Sequence, residues 1–119
     1  MQYMLLIYGD ERFWANASPE ELQSVMSAYN AYTKAIVDAG VFVAGAPLED
    51  TQSATTVRVL DGRTQTIDGP FAETKEQLGG YYLIDVPDAD EALRWAARCP
   101  GASRGSIEVR PVAQIPMPA

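Results

Sequence analysis

The chain has 119 residues, of which 47% are hydrophobic and 21% charged, the composition of a single globular domain over residues 1–119. Its formal net charge is -7 and its nine basic residues are scattered, so nucleic acid, which needs clustered lysine and arginine, is not an expected partner. Histidine is absent, which removes the commonest general base near neutral pH and the commonest transition-metal ligand. We therefore expect no metal site and no cofactor.

The sequence indicates neither a secreted nor a membrane protein. Its first residues lack the basic start and the long apolar stretch of a signal peptide. No apolar run approaches the ~20 residues that cross a bilayer. The single cysteine, Cys99, cannot form an internal disulfide, which fits a reducing compartment. We expect a cytoplasmic protein with no membrane partner.

The first part of the chain predicts a strand, a long helix and a second strand. Residues 3–8 are apolar with aromatic ends, as in a buried strand. Ser18, Pro19 and Glu21 predict a helix start, because they combine a cap, a proline at the first helical position and a capping box. Apolar residues at helical spacing follow as far as Gly40. A short strand is then predicted over residues 41–44, and a polar loop over residues 45–53.

A β-hairpin is predicted next. Residues 55–60 and 64–67 are rich in threonine, alternate in polarity and flank Asp61-Gly62-Arg63, which is a turn signal. Pro70 is expected to end the second strand of the hairpin, since proline cannot donate to a ladder. Residues 72–78 have a composition that favours a helix of about two turns.

The last part predicts a strand, a helix and a closing strand. The strands are expected over residues 80–86 and 106–110, and a helix capped by Asp88 lies between them. Residues 115–118 contain prolines that keep them out of a sheet. The apolar stripe of the last helix is expected to consist of Ala92, Leu93, Ala96 and Cys99.

These elements predict an α+β protein: a ferredoxin-like sandwich of two strand-helix-strand units with an inserted β-hairpin. Right-handed crossovers place both helices on one face of the antiparallel sheet. The other face also carries aliphatic and aromatic residues, so it needs cover. We expect a second copy of the chain to supply it, sheet against sheet, so that the homodimer forms a dimeric α/β-barrel.

The densest chemistry of the chain lies between Asp68 and Tyr82. One interpretation is structural: Asp68-Gly69-Pro70 turns the chain and the charges that follow form a solvated surface. The other is functional, with Asp68 or Glu73 as a catalytic acid or base, although an exposed carboxylate is a poor base at neutral pH. In this interpretation the ligand-binding residues are Arg58, Asp68, Phe71, Lys75 and Tyr81.

The motifs of this segment and of both ends of the chain are similar to those of one family. Asp68-Gly69-Pro70-Phe71 is the motif that names a subgroup of the YCII-related family, the DGPF subgroup. The chain resembles that subgroup over essentially its whole length. The further matching segments are residues 3–8, 54–58, 73–77, 79–82 and 108–111.

The resemblance implies a dimeric α/β-barrel built from ferredoxin-like units. Some relatives of the broader family carry a His-Asp pair proposed as an active site, and some act on small chlorinated aromatic compounds. That pair has no counterpart in a chain without histidine. Members of this kind are often encoded beside extracytoplasmic-function sigma factors, which implies a regulatory association.

Three hypotheses of function follow. The first is a homodimer that binds a small ligand in the cavity between its two sheets. The second is an enzyme that acts on a small aromatic or anionic substrate, with Asp68 or Glu73 as acid or base and Arg58 or Lys75 holding an anion. The third is a regulatory partner of an extracytoplasmic-function sigma factor.

Overall fold

The six strands and the two long helices follow one another along the chain in the predicted order. The computed structural model describes residues 1–116, which form six strands and three helices. The proline-rich tail predicted over residues 115–118 continues past the described part. The strands are β1 (Gln2–Gly9), β2 (Phe42–Pro47), β3 (Thr55–Leu60), β4 (Arg63–Asp68), β5 (Gln77–Asp85) and β6 (Ser106–Pro111). The helices are α1 (Arg12–Asn16), α2 (Pro19–Asp38) and α3 (Ala89–Arg98), with short 3-10 turns at Thr51–Ser53 and Pro100–Ser103.

Four of the strands form one antiparallel sheet in the order β2-β5-β1-β6. When the hairpin β3-β4 is set aside, this is the strand order of a ferredoxin-like fold, so the α+β prediction is confirmed. The sheet formed by residues 1–116 is open, and these residues alone close no barrel. None of the helices in this described part is long and apolar enough to span a bilayer.

The hydrophobic core lies between one face of the sheet and the helices α2 and α3. Leu5, Ile84 and Ile36 are fully buried there, and β1 and β5 supply the first two. Tyr32 packs edge-on against Tyr82, with their ring centroids 5.3 Å apart. Both long helices therefore cover the same face of the sheet, as predicted from the handedness of the crossovers.

The helix starts confirm the cap predictions. The Ser18 hydroxyl accepts a hydrogen bond from the Glu21 backbone N–H at 3.1 Å, and the Glu21 carboxylate accepts one from the Ser18 N–H at 3.2 Å. This is a complete capping box. Asp88 accepts from the Glu91 N–H at 2.9 Å at the start of α3. Each cap satisfies N–H groups that have no partner inside the helix.

Within residues 1–116, the second face of the four-stranded sheet carries apolar side chains and no helix covers it; we call it the open face. Side chains alternate between the two faces of a strand, so Leu6 and Met4 of β1 lie on the face opposite the buried Leu5. Across β5, Leu6 pairs with Tyr81 and Met4 with Leu83. These side chains are only half-buried in the single chain.

The hairpin β3-β4 forms a separate two-stranded sheet that we call the arm. Its two-residue turn is Asp61-Gly62, both at positive φ, as in the turns that match the strand twist. The radius of gyration is 16.6 Å, against about 13–14 Å for a compact domain of this length. Every side chain of β4 is exposed, so the arm projects from the rest of the chain.

Three predictions of detail were wrong. Residues 72–78 form a bend and the start of β5, because the Thr74 hydroxyl bonds the Glu76 carbonyl and the Gln77 amide bonds the Thr74 carbonyl at 2.7 Å, in place of helical bonds. The buried stripe of α3 contains Trp95, and Leu93 is 54% exposed. The polar loop expected from residue 45 begins later, because β2 stays paired with β5 through Pro47.

Candidate ligand groove

A large groove lies where α1, α2 and the end of the sheet converge. Its volume is about 1420 Å³, above the ~300–1000 Å³ typical of small-molecule sites. It has room for a ligand together with water. Its walls include Ile7 and Tyr82 from the sheet, Tyr29 from α2, and Phe13 and Trp14 from α1.

The floor of the groove is aromatic and carries hydroxyl groups. The Tyr82 and Thr33 hydroxyl oxygens are 2.6 Å apart, so one donates to the other. Tyr29 is half-buried, and its hydroxyl lies 4.0 Å from the Cys99 sulfur. Apolar walls with a few fixed polar groups are the usual construction of a small-molecule site.

Two arginines line the groove and stack on aromatic rings. The Arg104 guanidinium lies 4.1 Å from the centroid of the Phe13 ring, and that of Arg98 lies 4.4 Å from the centroid of Trp95. Within residues 1–116, neither arginine forms an ion pair with a carboxylate. Stacking orients a guanidinium and leaves its N–H groups available for an anion.

Asp10 stands at the end of β1 and lines the same groove. Hydrogen bonds from the side chain and backbone of Arg12, with a smaller contribution from the charge of Lys75, lower the pKa of Asp10 to about 2. Asp10 is therefore a carboxylate at every physiological pH and already has a cationic partner. It does not neutralise Arg98 or Arg104.

Several groups in and beside the groove have a shifted pKa, and each shift takes the pKa further from neutral pH. Burial raises the pKa of the Tyr29 phenol and that of the Cys99 thiol. Burial also raises the pKa of the Tyr82 phenol, against the opposing effect of its hydrogen bond with Thr33. Good acid–base catalysts have a pKa close to the working pH. Tyr29 and Tyr82, which line the groove, are therefore suited to hold a ligand by hydrogen bonding and packing.

The site residues predicted from the sequence lie mostly on the arm and on the loop that follows it. Arg58 and Phe71 are brought together, with the Arg58 guanidinium 5.3 Å from the ring centroid. Asp68 ends β4 opposite Thr55 and is exposed, and Glu73 is exposed in the loop. None of these four residues lines the groove. Their predicted roles stay predictions.

Lys75 and Tyr81 lie closer to the groove than the other predicted residues. Lys75 is near enough to Asp10 to affect its pKa, although its own side chain is exposed. Tyr81 contributes to the groove wall and is the neighbour of Tyr82 on β5. The two tyrosines point to opposite faces, since Tyr82 is buried in the core and Tyr81 pairs with Leu6 on the open face.

The Asp68-Gly69-Pro70 segment has a structural role in this chain. Gly69 has φ +104°, a conformation that side chains rarely adopt. Its N–H donates to the Ala54 carbonyl at 2.8 Å, and its carbonyl accepts from the Thr56 hydroxyl at 2.9 Å. These bonds close the base of the arm.

Glu11 connects the groove wall to both ends of the arm. It directly precedes α1, and its carboxylate accepts from the Thr51 N–H at 2.7 Å and from the Thr51 hydroxyl at 2.8 Å. Its own N–H donates to the Gln77 side chain at 3.1 Å. Thr51 precedes the arm and Gln77 follows it, so the hydrogen bonds of Glu11 hold the segments on both sides of the arm in place.

Sequence reasoning missed the groove residues of α1 and of the second 3-10 turn. The short helix α1, which carries Phe13 and Trp14, was not predicted. Phe13-Trp14 next to a break is the signal that could have drawn attention to it. Arg104 gave no local signal, because its role depends on Phe13, which is distant in sequence.

The described residues form an α+β protein with a ferredoxin-like strand order and an aromatic, arginine-bearing groove. A model of the YCII-related domain matches residues 1–116. A similar protein is an uncharacterized protein of Rhizobium meliloti (strain 1021), 46% identical over 115 residues, which cover 95% of this chain and 93% of that protein. The chain belongs to the YCII-related family, as its motifs predicted.

Proposed function

We propose that this YCII-related protein is a homodimer that binds a small aromatic anion in the groove between α1, α2 and the sheet. The observation that carries the proposal is the pair Arg98 and Arg104. Each is stacked on an aromatic ring beside the groove, and neither has a carboxylate partner within residues 1–116. Both side chains are exposed, so their guanidinium N–H groups are available to an anionic ligand that enters the groove.

The aromatic walls favour a ligand with a ring. Phe13, Trp14, Tyr29 and Tyr82 surround the groove, and aromatic pairs contribute about 0.5–1.5 kcal/mol beyond the area they bury. The hydroxyls of Tyr29 and Tyr82 can also donate to an anionic group. Binding of a planar anion is therefore supported by packing and by charge.

Binding is favoured over catalysis by the protonation states at the groove. The displaced pKa values of Asp10 and Tyr29, which both line the groove, lie far from neutral pH, so neither group exchanges protons readily there. Acid–base chemistry by Asp68 or Glu73 stays a prediction from the sequence, as does ligand binding between the sheets of a dimer. The open face supports the homodimer, since apolar surface of this kind is normally covered.

The groove proposal is tested with the fluorescent aromatic anion anilinonaphthalene sulfonate. We expect it to bind the folded protein, and Arg104→Gln to raise its Kd roughly tenfold through loss of a charge-assisted contact. Arg94→Gln is the matched control, because Arg94 pairs with Glu91 on the surface of α3 and does not line the groove. Equal affinities of the wild type and both variants would falsify the groove proposal.

Association with an extracytoplasmic-function sigma factor is a separate proposal. It is supported by the family and by the net charge of -7, which suits a basic partner surface. Co-purification with such a sigma factor at moderate salt is the expected result. Recovery of the homodimer alone, with the sigma factor present in the same extract, contradicts it.

A further inference from the structure

The arm is an exposed two-stranded sheet, and such a hairpin is only marginally stable in water without cover. Val57 and Val59 are 59% and 63% exposed. In the register of the hairpin, Val57 pairs with Thr66 and Val59 with Thr64, so these four β-branched residues share one face. We call it the valine–threonine face. Its centre carries no charge.

The opposite face of the arm is charged and already has internal contacts. It carries Arg58, which stacks on Phe71, and Arg63 near the turn. Leu60 and Ile67, 51% and 54% exposed, lie on the same face, but a contact there must also strip water from the two guanidinium groups. Gln65 pairs with Arg58 on that face. A docking surface that must lose its water is therefore more easily built from the valine–threonine face.

We propose that the valine–threonine face of the arm packs against a second copy of this chain, so that each subunit of the homodimer holds the other with its arm. This inference rests on the homodimer part of the proposed function and goes beyond it. It assigns the arm a partner, and it distinguishes which face of the arm makes the contact.

The charge distribution favours a second copy as the partner. The whole chain carries a formal net charge of -7. Between Thr55 and Asp68 the two arginines, Arg58 and Arg63, balance Asp61 and Asp68, so the arm is neutral and the remainder of the chain carries the full -7. Two acidic bodies repel, whereas a neutral arm approaches an acidic body without that cost.

The interface area leads to the same conclusion. Strand spacing and rise give the open face of four strands an area of roughly 400 Å² in projection, and one face of the arm roughly 200 Å². A stable dimer buries about 800 Å² of accessible surface on each partner. In a two-fold pair each copy contributes one arm and receives one, so the two arm contacts together add a projected area comparable with that of the open face.

The base of the arm is built to hold such a contact. Gly69, Ala54 and Thr56 close the base by hydrogen bonds, and Glu11 fixes the segments before and after it. A fixed arm loses less conformational freedom on docking than a flexible loop does.

The test combines dimer affinity with hydrogen exchange. We expect the double variant Val57→Asp/Val59→Asp to weaken the dimer by roughly tenfold or more in sedimentation experiments, because it buries charge in the contact. Gln65→Asp adds a charge to the opposite face of the same arm and should leave the dimer unchanged. In the wild type, dilution should accelerate amide exchange in β3 and β4 and leave α3 unaffected.

The outcomes separate the arm from the dimer as a whole. A wild-type protein that sediments as a monomer overturns both the homodimer and the arm contact. A stable dimer that Leu83→Asp on the open face dissociates, and that tolerates Val57→Asp/Val59→Asp, leaves the homodimer standing and overturns the arm contact. An effect of Gln65→Asp equal to that of the valine variant overturns the assignment of the face.

Discussion

The four-stranded sheet with its helices, which we call the body, and the arm are both built on antiparallel strands, yet they differ in what stabilises them. In the body, four strands bury Leu5 and Ile84 completely beneath α2 and α3. In the arm, two strands of similar length bury nothing completely, and Ile67 is 54% exposed. The body has a hydrophobic core on one face of its sheet. The stability of the arm depends instead on its turn, on the hydrogen bonds at its base and on any surface that covers it.

The difference shows that strand sequence alone does not reveal where the free energy of folding is located. Val57, Val59 and Ile67 are as strand-forming as the residues of β1 and β5. These three residues contribute little to the free energy of folding of the single chain, because burial provides most of the stabilisation of a strand residue. The same chemical change should therefore have very different effects in the two sheets.

The largest expected contrast comes from a matched pair of isoleucine variants. Ile84→Ala should lower the free energy of unfolding by about 2–5 kcal/mol, because it removes a fully buried side chain from the core. Ile67 lies on the face of the arm that also carries Arg58, and Ile67→Ala should lower the free energy of unfolding by roughly 0.5 kcal/mol or less, because the side chain is already exposed. Urea unfolding followed by circular dichroism measures both. Comparable losses would contradict the division between body and arm.

A second, smaller effect is expected at the base of the arm. Gly69→Ala should cost about 1–3 kcal/mol locally, because Gly69 has φ +104°. Exchange of the amides in β3 and β4 should accelerate while those of α2 stay protected. Gly9→Ala is the matched control: its φ is not in the positive range, and nothing lies within 4 Å of an added Cβ. Equal exchange in both variants contradicts a strained base.

The third prediction concerns the tyrosines, all of which lie in the body, and its effect at neutral pH is the smallest. Burial raises the pKa of Tyr29, Tyr32 and Tyr82 above the ordinary value of 10.0. A raised pKa in the folded state means that this contribution to stability is complete below pH 10 and is lost as the pH rises above it. The melting temperature should therefore fall above pH 10.

Tyr32→Phe tests the origin of that alkaline loss. The Tyr32 hydroxyl donates to the Trp95 carbonyl at 2.6 Å, so the variant should cost about 0.5–1.5 kcal/mol at neutral pH. It should also reduce the loss of stability above pH 10. An unchanged alkaline slope would assign that loss to the other tyrosines. A wild-type melting temperature that stays constant above pH 10 would contradict the prediction itself.

The sequence predicted the elements whose signals are local. Ser18 and Glu21 identified the start of α2, and Asp61-Gly62 identified the turn of the hairpin, because caps and turns depend on residues a few positions apart. The ferredoxin-like order followed from these elements. Residues 72–78 were predicted wrongly, because the Thr74 and Gln77 side chains bond the local backbone and replace the helical pattern.

The groove could not be predicted, because it depends on contacts between segments far apart along the chain. Arg104 stacks on Phe13, and Tyr82 of β5 meets Thr33 of α2. The local pattern around Arg104 does not indicate that partner. The error at Leu93 has a related cause. Leu93 was expected in the buried stripe of α3. The helical spacing from Ala92 instead turns Trp95 toward the sheet and leaves Leu93 exposed.

The hydrogen bond from the Leu48 N–H to the Gly79 carbonyl, at 2.9 Å, continues the pairing of β2 with β5. The chain therefore leaves the four-stranded sheet and returns to it at neighbouring points. In architectural terms the arm is an insertion into what is otherwise a plain β2-β5 hairpin. Mutation can lengthen, shorten or replace such an insertion without changing the register of the core, so this is the site where evolution or protein engineering can alter the partners of the molecule with the least cost to its folding.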